Sequence, residues 1–310
     1  MKILSAPLQG FTEATWRNIH SEVFGGVDTY FTPFIRYEYG EIRNKDIRDV
    51  ERKNNTVPHL VPQLIAATPQ EMLPLVQMLT TEGYNEIDIN LGCSFPLQMR
   101  KRHGAGILPF PSMVEELMQV VKDLPDIRFS VKMRLGRDSK DEWRALIPIL
   151  NSAPLSHITL HPRLGCEQYR LPADVEEFAA FAGECRHPLI YNGDVLSLRD
   201  IEKIETHYPT LVGIMIGRGL LANPALGLEY RRGSELTTSE LRELVQAMHD
   251  ALHCAMAARL QGNTQLLGKL KPYWEYLLPI IEKKYRKAIL KSSTTEKYLA
   301  AVNNALATLK

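Results

Sequence analysis

Four residues of the 310-residue chain stand out for what their side chains could do together. Gln63 follows Pro62, Lys132 lies in Val131-Lys132-Met133-Arg134, and His161 lies in Leu160-His161-Pro162-Arg163. Each ends a short β-rich run. A lysine drawn out of water beside a ring with an ionisable nitrogen stabilises negative charge in it, as in a flavin. The Gln63 amide offers a donor and an acceptor, which matches an imide edge. A single His or Gln reads more simply as a satisfied core residue, but three such groups at different strand ends point to a shared site. The fourth residue, Cys93, follows Asn90-Leu91-Gly92 in a loop. A thiol there is either a general acid, since it keeps its proton at neutral pH, or a small buried hydrophobe. Cys166, Cys185 and Cys254 are far apart and form no CxxC pair, so they read as reduced thiols, neither bridged nor metal-binding.

The elements that must position these groups recur along the chain as a β-rich run, a polar or Gly/Pro loop, and a helical stretch. Strands are expected to begin near Ile3, Asp28, His59, Glu86, Phe129, His157, Leu189 and Val212. Alternating β and α segments imply parallel strands with crossover helices. Eight such units fit an α/β TIM (β/α)8 barrel, and no GxGxxG turn supports an open dinucleotide-binding sheet. In such a barrel the chemistry sits at the C-terminal ends of the strands. Asn192-Gly193-Asp194 and Gly217-Arg218-Gly219 end the last two, where backbone N–H groups commonly hold a phosphate. Helix faces are expected over Pro69–Thr81 (Met72, Leu75, Val76, Leu79) and Ser112–Lys122 (Val114, Leu117, Met118, Val121). Thr237-Thr238-Ser239-Glu240 opens a capping box for a helix to about Leu260, followed by helical stretches near 265–290 and 294–309. The expected division is a barrel over 1–234 and a small C-terminal helical bundle over 235–310.

Charge is unevenly spread. The chain carries 37 Lys and Arg against 36 Asp and Glu. Thr238–Lys310 holds 11 basic and 6 acidic residues, net +5, which leaves 26 against 30, net −4, upstream. A basic tail suggests a polyanion contact, although charge alone fits a solvated helix face better. Arg100-Lys101-Arg102-His103-Gly104-Ala105-Gly106, after Cys93, is basic and glycine-rich and reads as a mobile lid. No apolar run is long enough to span a bilayer, and the N-terminal apolar stretch is too short for a secretion signal, so a cytoplasmic location is expected.

In order and spacing these stretches resemble the tRNA-dihydrouridine synthase family of flavin-dependent RNA-modifying enzymes. The most specific segment is Ile87-Asp88-Ile89-Asn90-Leu91-Gly92-Cys93, supported by Ala6-Pro7, Gln63, Val131 to Arg134, Leu160-His161, Asn192 to Asp194 and Gly217-Arg218. The resemblance implies FMN at the barrel mouth, reduced by NADPH or NADH, and hydride transfer to C6 of a uracil in RNA, most simply transfer RNA. It implies that Cys93 protonates C5, that Pro7, Leu8 and Gln9 line the flavin, and that Gln63 reads its imide edge. Lys132 would stabilise the anionic ring, and His161 would bind near the ring or phosphate. Asn192, Gly193, Asp194, Gly217 and Arg218 would hold the phosphate, and Asn90 and Arg134 the uracil. A target uridine deep in a barrel must leave its stack. The helical domain would grip RNA, giving a function to Lys269, Lys271, Lys283, Lys284, Arg286, Lys287, Lys291 and Lys297, while the interleaved Tyr273, Trp274, Tyr276 and Tyr285 suit bundle core better than base stacking.

The chain departs from the family pattern at Ser94, where proline is expected after the cysteine, and at Leu8, where methionine is common. Arg36–Arg43 has no clear counterpart. Two other readings compete: a small-molecule FMN oxidoreductase of the dihydroorotate-dehydrogenase type, which needs no basic tail, and an RNA-binding relative without catalysis. A monomer is the simplest assembly.

Overall fold

The computed structural model describes residues 1–309, which fall into two compact units. The first comprises Met1–Ala14, Asp28–Asp194 and Ile204–Ile216; the second comprises Thr15–Val27, Val195–Lys203 and the chain from Gly217 onward.

The first unit is built on β1 (Lys2–Ser5), β2 (Thr29–Phe31), β3 (Ile35–Glu38), β4 (Glu41–Ile42), β5 (Leu60–Val61), β6 (Gln63–Ile65), β7 (Glu86–Leu91), β8 (Arg128–Gly136), β9 (Ile158–Leu164), β10 (Leu189–Asn192) and β11 (Gly213–Ile216). Their order is β4-β3-β6-β7-β8-β9-β10-β11-β1-β2-β5. The two ends of that order meet, because β5 and β6 are one strand divided at Pro62. Proline has no N–H to give the ladder, so pairing lapses there. β5 pairs with β2 and β6 with β7, all parallel, and the sheet closes into a barrel. β3 likewise continues β2 beyond Thr32-Pro33-Phe34, pairing Ile35 with Leu64 after β2 has paired Tyr30 with Leu60. The offset falls from 30 to 29 residues, so β2–β3 carries one extra residue, a bulge. Counting each divided strand once and setting aside β4, the barrel has the eight positions read from the sequence, each beginning within a residue of expectation.

β4 pairs antiparallel with the end of β3, and the Arg36–Arg43 segment is therefore a hairpin. Its turn is Tyr39-Gly40, with φ of 56° and 84°, the conformation that suits the twist of a two-residue hairpin. Tyr39 is 97% exposed.

Side chains alternate across each strand. On β8, Phe129, Val131 and Met133 face outward and are fully buried, while Ser130, Lys132 and Arg134 face the interior. Helices cover the outward faces, with Met72, Leu75, Val76 and Leu79 buried on Pro69–Thr81 and Val114, Leu117, Met118 and Val121 buried on Pro111–Asp123. Inside, Leu4, Ala6, Phe31, Val61, Ile190 and Met215 from five adjacent strands form one apolar cluster.

The second unit is helical. Thr237 and Glu240 form the expected capping box of Thr238–Ala257. The helical stretch expected near 265–290 comprises Gly262–Leu270, a 3-10 turn Lys271–Glu275 and Lys283–Lys291. Pro272 and Pro279 account for the breaks, since proline cannot supply the i→i−4 bond. Thr295–Leu306 closes the unit. Trp16, Val245, Met248, Leu252, Leu270 and Trp274 pack around Tyr298, whose hydroxyl accepts from Trp274 Nε1 at 2.9 Å. Tyr273 and Trp274 are thus core residues. Among the described residues, no helix is long and apolar enough to cross a membrane.

Candidate active site

The interior faces of β6, β7, β8 and β9 carry the polar residues, and those of β6, β7 and β8 are joined. Asp88 and Asn90, two apart on β7, point the same way. Asp88 Oδ1 accepts from Ser130 Oγ at 2.6 Å and its Oδ2 from Gln63 Nε2 at 2.7 Å. Gln63 Oε1 accepts from Asn90 Nδ2 at 2.7 Å. Asn90 Oδ1 accepts from the backbone N–H groups of Gly92 at 3.0 Å and Cys93 at 2.8 Å. The Gln63 N–H is drawn off by Thr32 Oγ1 at 3.0 Å, a contact that the bulge makes available. The cost of burying these polar groups is thus offset by partners. Burial still pushes the Asp88 carboxyl up to about 6 against the bonds from Gln63 and Ser130.

Cys93 follows the end of β7, half-buried. Its carbonyl accepts from Ala105 N at 3.0 Å. Gly104, at φ +59°, is required there: a Cβ would stand 2.6 Å from Cys93 Cβ. Burial raises the thiol pKa, outweighing the Phe95 N–H and the nearby cations Arg134 and Lys132, so the proton stays on sulfur at neutral pH. The basic stretch after it is not an open lid. Pro96–Arg100 and Gly104–Ile107 are short helices, Gly104, Ala105 and Gly106 are buried, and His103 is held between Gln98 Oε1 at 3.1 Å and Glu71 Oε2 at 2.8 Å. Ser94 stands where the family proline is expected, and Pro96 begins the following helix.

Lys132 makes no hydrogen bond among the described residues. Desolvation, then the neighbouring Arg134, lowers its pKa to about 8, with Asp88 pulling the other way. Arg134 is buried and donates to the carbonyls of Leu164 at 2.7 Å and Gln168 at 2.8 Å, and its guanidinium stands 5.3 Å from the Tyr169 ring. These bonds fasten the loop after β9, while Arg134 Nε is buried without a partner.

On β9, His161 Nε2 lies 2.9 Å from Arg163 Nη1. A guanidinium can only donate, so Nε2 accepts and the imidazole proton sits on Nδ1. Arg163 also donates to Leu171 O at 2.6 Å and forms an ion pair with Asp194. Asp194 has φ +48° and accepts from Ala173 N at 2.9 Å. Asn192 ties β10 to its neighbour through Met215 O at 2.8 Å. A Cβ on Gly193 would stand 3.0 Å from Ala173 Cβ and 3.5 Å from His161 Cδ2. Gly217 and Arg218 follow β11 directly and belong to the second unit.

After β1, Leu8 N donates to Thr12 Oγ1 at 2.8 Å, and Gln9 Nε2 donates to Phe34 O at 2.9 Å. Pro7 lies between these bonds and the Ala6 N–H donated to Ile216 O at 2.9 Å. The structure therefore joins Gln63, Asn90 and the Cys93 backbone by hydrogen bonds, sets Arg134 and Lys132 near enough to Cys93 to act on its charge, and links His161 to Asp194 through Arg163. Sequence reasoning named Asp88 and Arg163 only as strand-end residues and gave Ser130 no role. Their signal was the two-residue spacing: Asp88–Asn90, Ser130–Lys132–Arg134 and His161–Arg163 share the inward face.

Three relatives and two solved structures place this barrel among known proteins. The chain is 25% identical over 284 residues to the tRNA-dihydrouridine(16) synthase of Neisseria meningitidis serogroup B, covering 88% of this chain and 84% of that one. It is 28% identical to the probable tRNA-dihydrouridine synthase 2 of Bacillus subtilis (79% and 77% covered), and 26% identical to the tRNA-dihydrouridine(16) synthase of Ralstonia nicotianae (99% and 96%). Histamine dehydrogenase from Rhizobium sp. 4-9 superposes with a TM-score of 0.56 at 13% identity, over 85% of this chain and 50% of that one. Morphinone reductase gives 0.52 at 10% identity, over 77% and 88%. These two support the barrel fold alone. The dihydrouridine synthase (Dus) profile matches residues 4–309, so nearly every element described above lies within it, and the chain belongs to the dihydrouridine synthase family.

Proposed function

We propose that this protein reduces the C5–C6 double bond of a specific uridine in transfer RNA, using NADPH or NADH through FMN, with Cys93 as the general acid. The observation that carries this reading is a protonated, half-buried thiol at the end of β7, with the buried Arg134 and the half-buried Lys132 near it. FMN, when bound, supplies the hydride that C6 accepts. The residues present fit such a group: the Lys132 ammonium is desolvated without a hydrogen-bond partner, which suits an anionic ring. Pro7, Leu8, Gln9 and Gln63 would line the isoalloxazine, and His161, Asn192, Gly193, Asp194, Gly217 and Arg218 would serve the ribityl phosphate. Asn90 and Arg134 would hold the uracil. Cys93 Sγ–H gives its proton to C5, and the thiolate recovers one from solvent.

Residues 1–234 would then carry the chemistry and 235–310 the grip on RNA, with the protein acting as a monomer in the cytoplasm. Lys283, Lys284 and Lys287 are exposed on one helix and suited to phosphates. Arg286 is not, because it donates to the carbonyls of Trp274, Leu277 and Leu278. Changing those three lysines to Gln should weaken RNA binding and reduce the slope of log K against log salt by about 2. An unchanged slope would make the helix an ordinary solvated face.

The deciding experiment is a dihydrouridine map of transfer and ribosomal RNA from cells with and without the gene. Loss at one defined uridine is expected, and position 16, named for the Neisseria and Ralstonia relatives, is the first to inspect. No loss anywhere, with a yellow FMN-bearing protein in hand, would favour a small-molecule flavin oxidoreductase.

A further inference from the structure

Gln63 and Asn90 are carboxamides, and an amide can be seated either way round, offering a donor or an acceptor to whatever it faces. Neither residue fixes its own direction; the groups at the two ends of the pair do, and Asp88 stands at one of them. Its carboxylate is fully buried and, when ionised, can only accept, so Gln63 must turn Nε2 toward it. Gln63 Oε1 then faces Asn90 and takes the Nδ2 hydrogen. Asn90 Oδ1 is left toward the loop, where it meets the N–H groups of Gly92 and Cys93. Reversed, the chain would set Asn90 Nδ2 against those two N–H groups, donor against donor, so the loop end and Asp88 require the same direction.

We propose that Asp88 is a positioning residue: its carboxylate anchors the Gln63–Asn90 hydrogen-bond chain in the direction that the loop N–H groups require, and through it the seating of the Cys93 backbone at the barrel mouth. Ser130, donating to the other carboxylate oxygen, holds Asp88 in place. The claim rests on the proposed function only where uridine reduction is the readout.

Asp88→Asn and Asp88→Leu separate direction from charge. Asparagine can accept from Gln63 with its oxygen and donate to Ser130 Oγ with its nitrogen, so the chain keeps its direction. Leucine is similar in size and cannot accept. The readouts are FMN content, single-turnover uridine reduction, and the pH dependence of iodoacetamide alkylation at Cys93, resolved by peptide. Cys185, half-buried elsewhere in the same unit, is the internal reference. In Asp88→Leu, Cys93 alkylation should rise about fivefold relative to Cys185, with its pH midpoint lowered toward that of an exposed thiol. Uridine reduction should fall about tenfold in the same variant. Asp88→Asn should stay within about twofold of wild type in both.

Should the leucine variant fail to fold, Gln63→Met cuts the chain one link further on and must give the same change at Cys93. Equal changes at Cys93 and Cys185, or an asparagine variant as impaired as the leucine one, would overturn the assignment. The alkylation ratio needs no RNA. A wild-type protein that reduced no uridine would therefore sink the proposed function and leave this test standing.

Discussion

The inside of the barrel is built in two halves. From β10 through β11, β1 and β2 to β5 it is hydrocarbon, filled by Leu4, Ala6, Phe31, Val61, Ile190 and Met215. From β6 through β7 and β8 to β9 it is polar, with Gln63, Asp88, Asn90, Ser130, Arg134 and His161 all buried. Burial does not distinguish the arcs. What differs is the condition each must meet: the first needs shape and area, the second needs a partner for every donor and acceptor. A fully buried Phe such as Phe31 stabilises the fold by about 1.5–3 kcal/mol. A desolvated ammonium such as Lys132 lowers stability whenever it is charged. The apolar arc holds the barrel shut so that the polar arc can keep groups that water would otherwise claim.

That division can be broken experimentally, and the largest effect should come from the apolar side. Phe31→Ala is expected to cost about 3–5 kcal/mol in urea unfolding. Uridine turnover per folded, FMN-loaded molecule should be nearly unchanged, and a comparable loss of turnover would mean that the arcs are not separable. Next comes Cys93→Ala, which should slow uridine reduction about 100-fold in single turnover with FMN content and melting temperature retained. Unaltered turnover would remove Cys93 from the chemistry. Lys132→Met should weaken FMN binding about tenfold while leaving stability equal or higher, because a desolvated cation without a hydrogen bond is removed. In the wild type, FMN affinity should decline as pH rises past about 8, where Lys132 loses its proton, and the methionine variant should lack that decline.

The smallest effect sharpens the contrast through pH. His157 lies edge-on to Phe31, with ring centroids 6.4 Å apart, and burial lowers its pKa from 6.5 to about 4. Its contribution to stability is present above 6.5 and is lost as pH falls through about 4. Asp88, raised from 3.8 to about 6, runs the other way: its contribution is present below 3.8 and is lost as pH rises through about 6. Relative to wild type, His157→Leu should therefore gain, and Asp88→Asn lose, about 1 kcal/mol as pH is lowered from about 6.5 to 5. Slopes of the same sign in the two variants would contradict the assignment.

Much of this was legible in sequence. The strand starts followed from β-rich runs ending in polar residues, and the inward faces from two-residue spacing. Partnership was less so. Nothing local says that both ends of the Gln63 amide are engaged, since Asp88 and Asn90 reach it only when β7 lies beside β6. The Arg100–Gly106 stretch reads as mobile because basic residues and glycines usually are. Yet those glycines are small so that backbone can press against Cys93 and Met99, a tertiary fact. Arg286 reads as an RNA contact until three carbonyls converge on it. Composition reports what a residue can do, and packing decides which option remains.

The breaks at Pro33 and Pro62 carry a further consequence, for how the closed sheet breathes. Neither residue has an amide hydrogen, and only two residue pairs join β2 to β5 and two join β3 to β6, against six between β7 and β8. Each half of that ladder is shorter than the one between β7 and β8, so its bonds can open locally while β7 and β8 stay paired. The amides of Tyr30 and Thr32, bonded across that seam to His59 and Val61, should therefore exchange with deuterium well before those of Ile87 to Leu91.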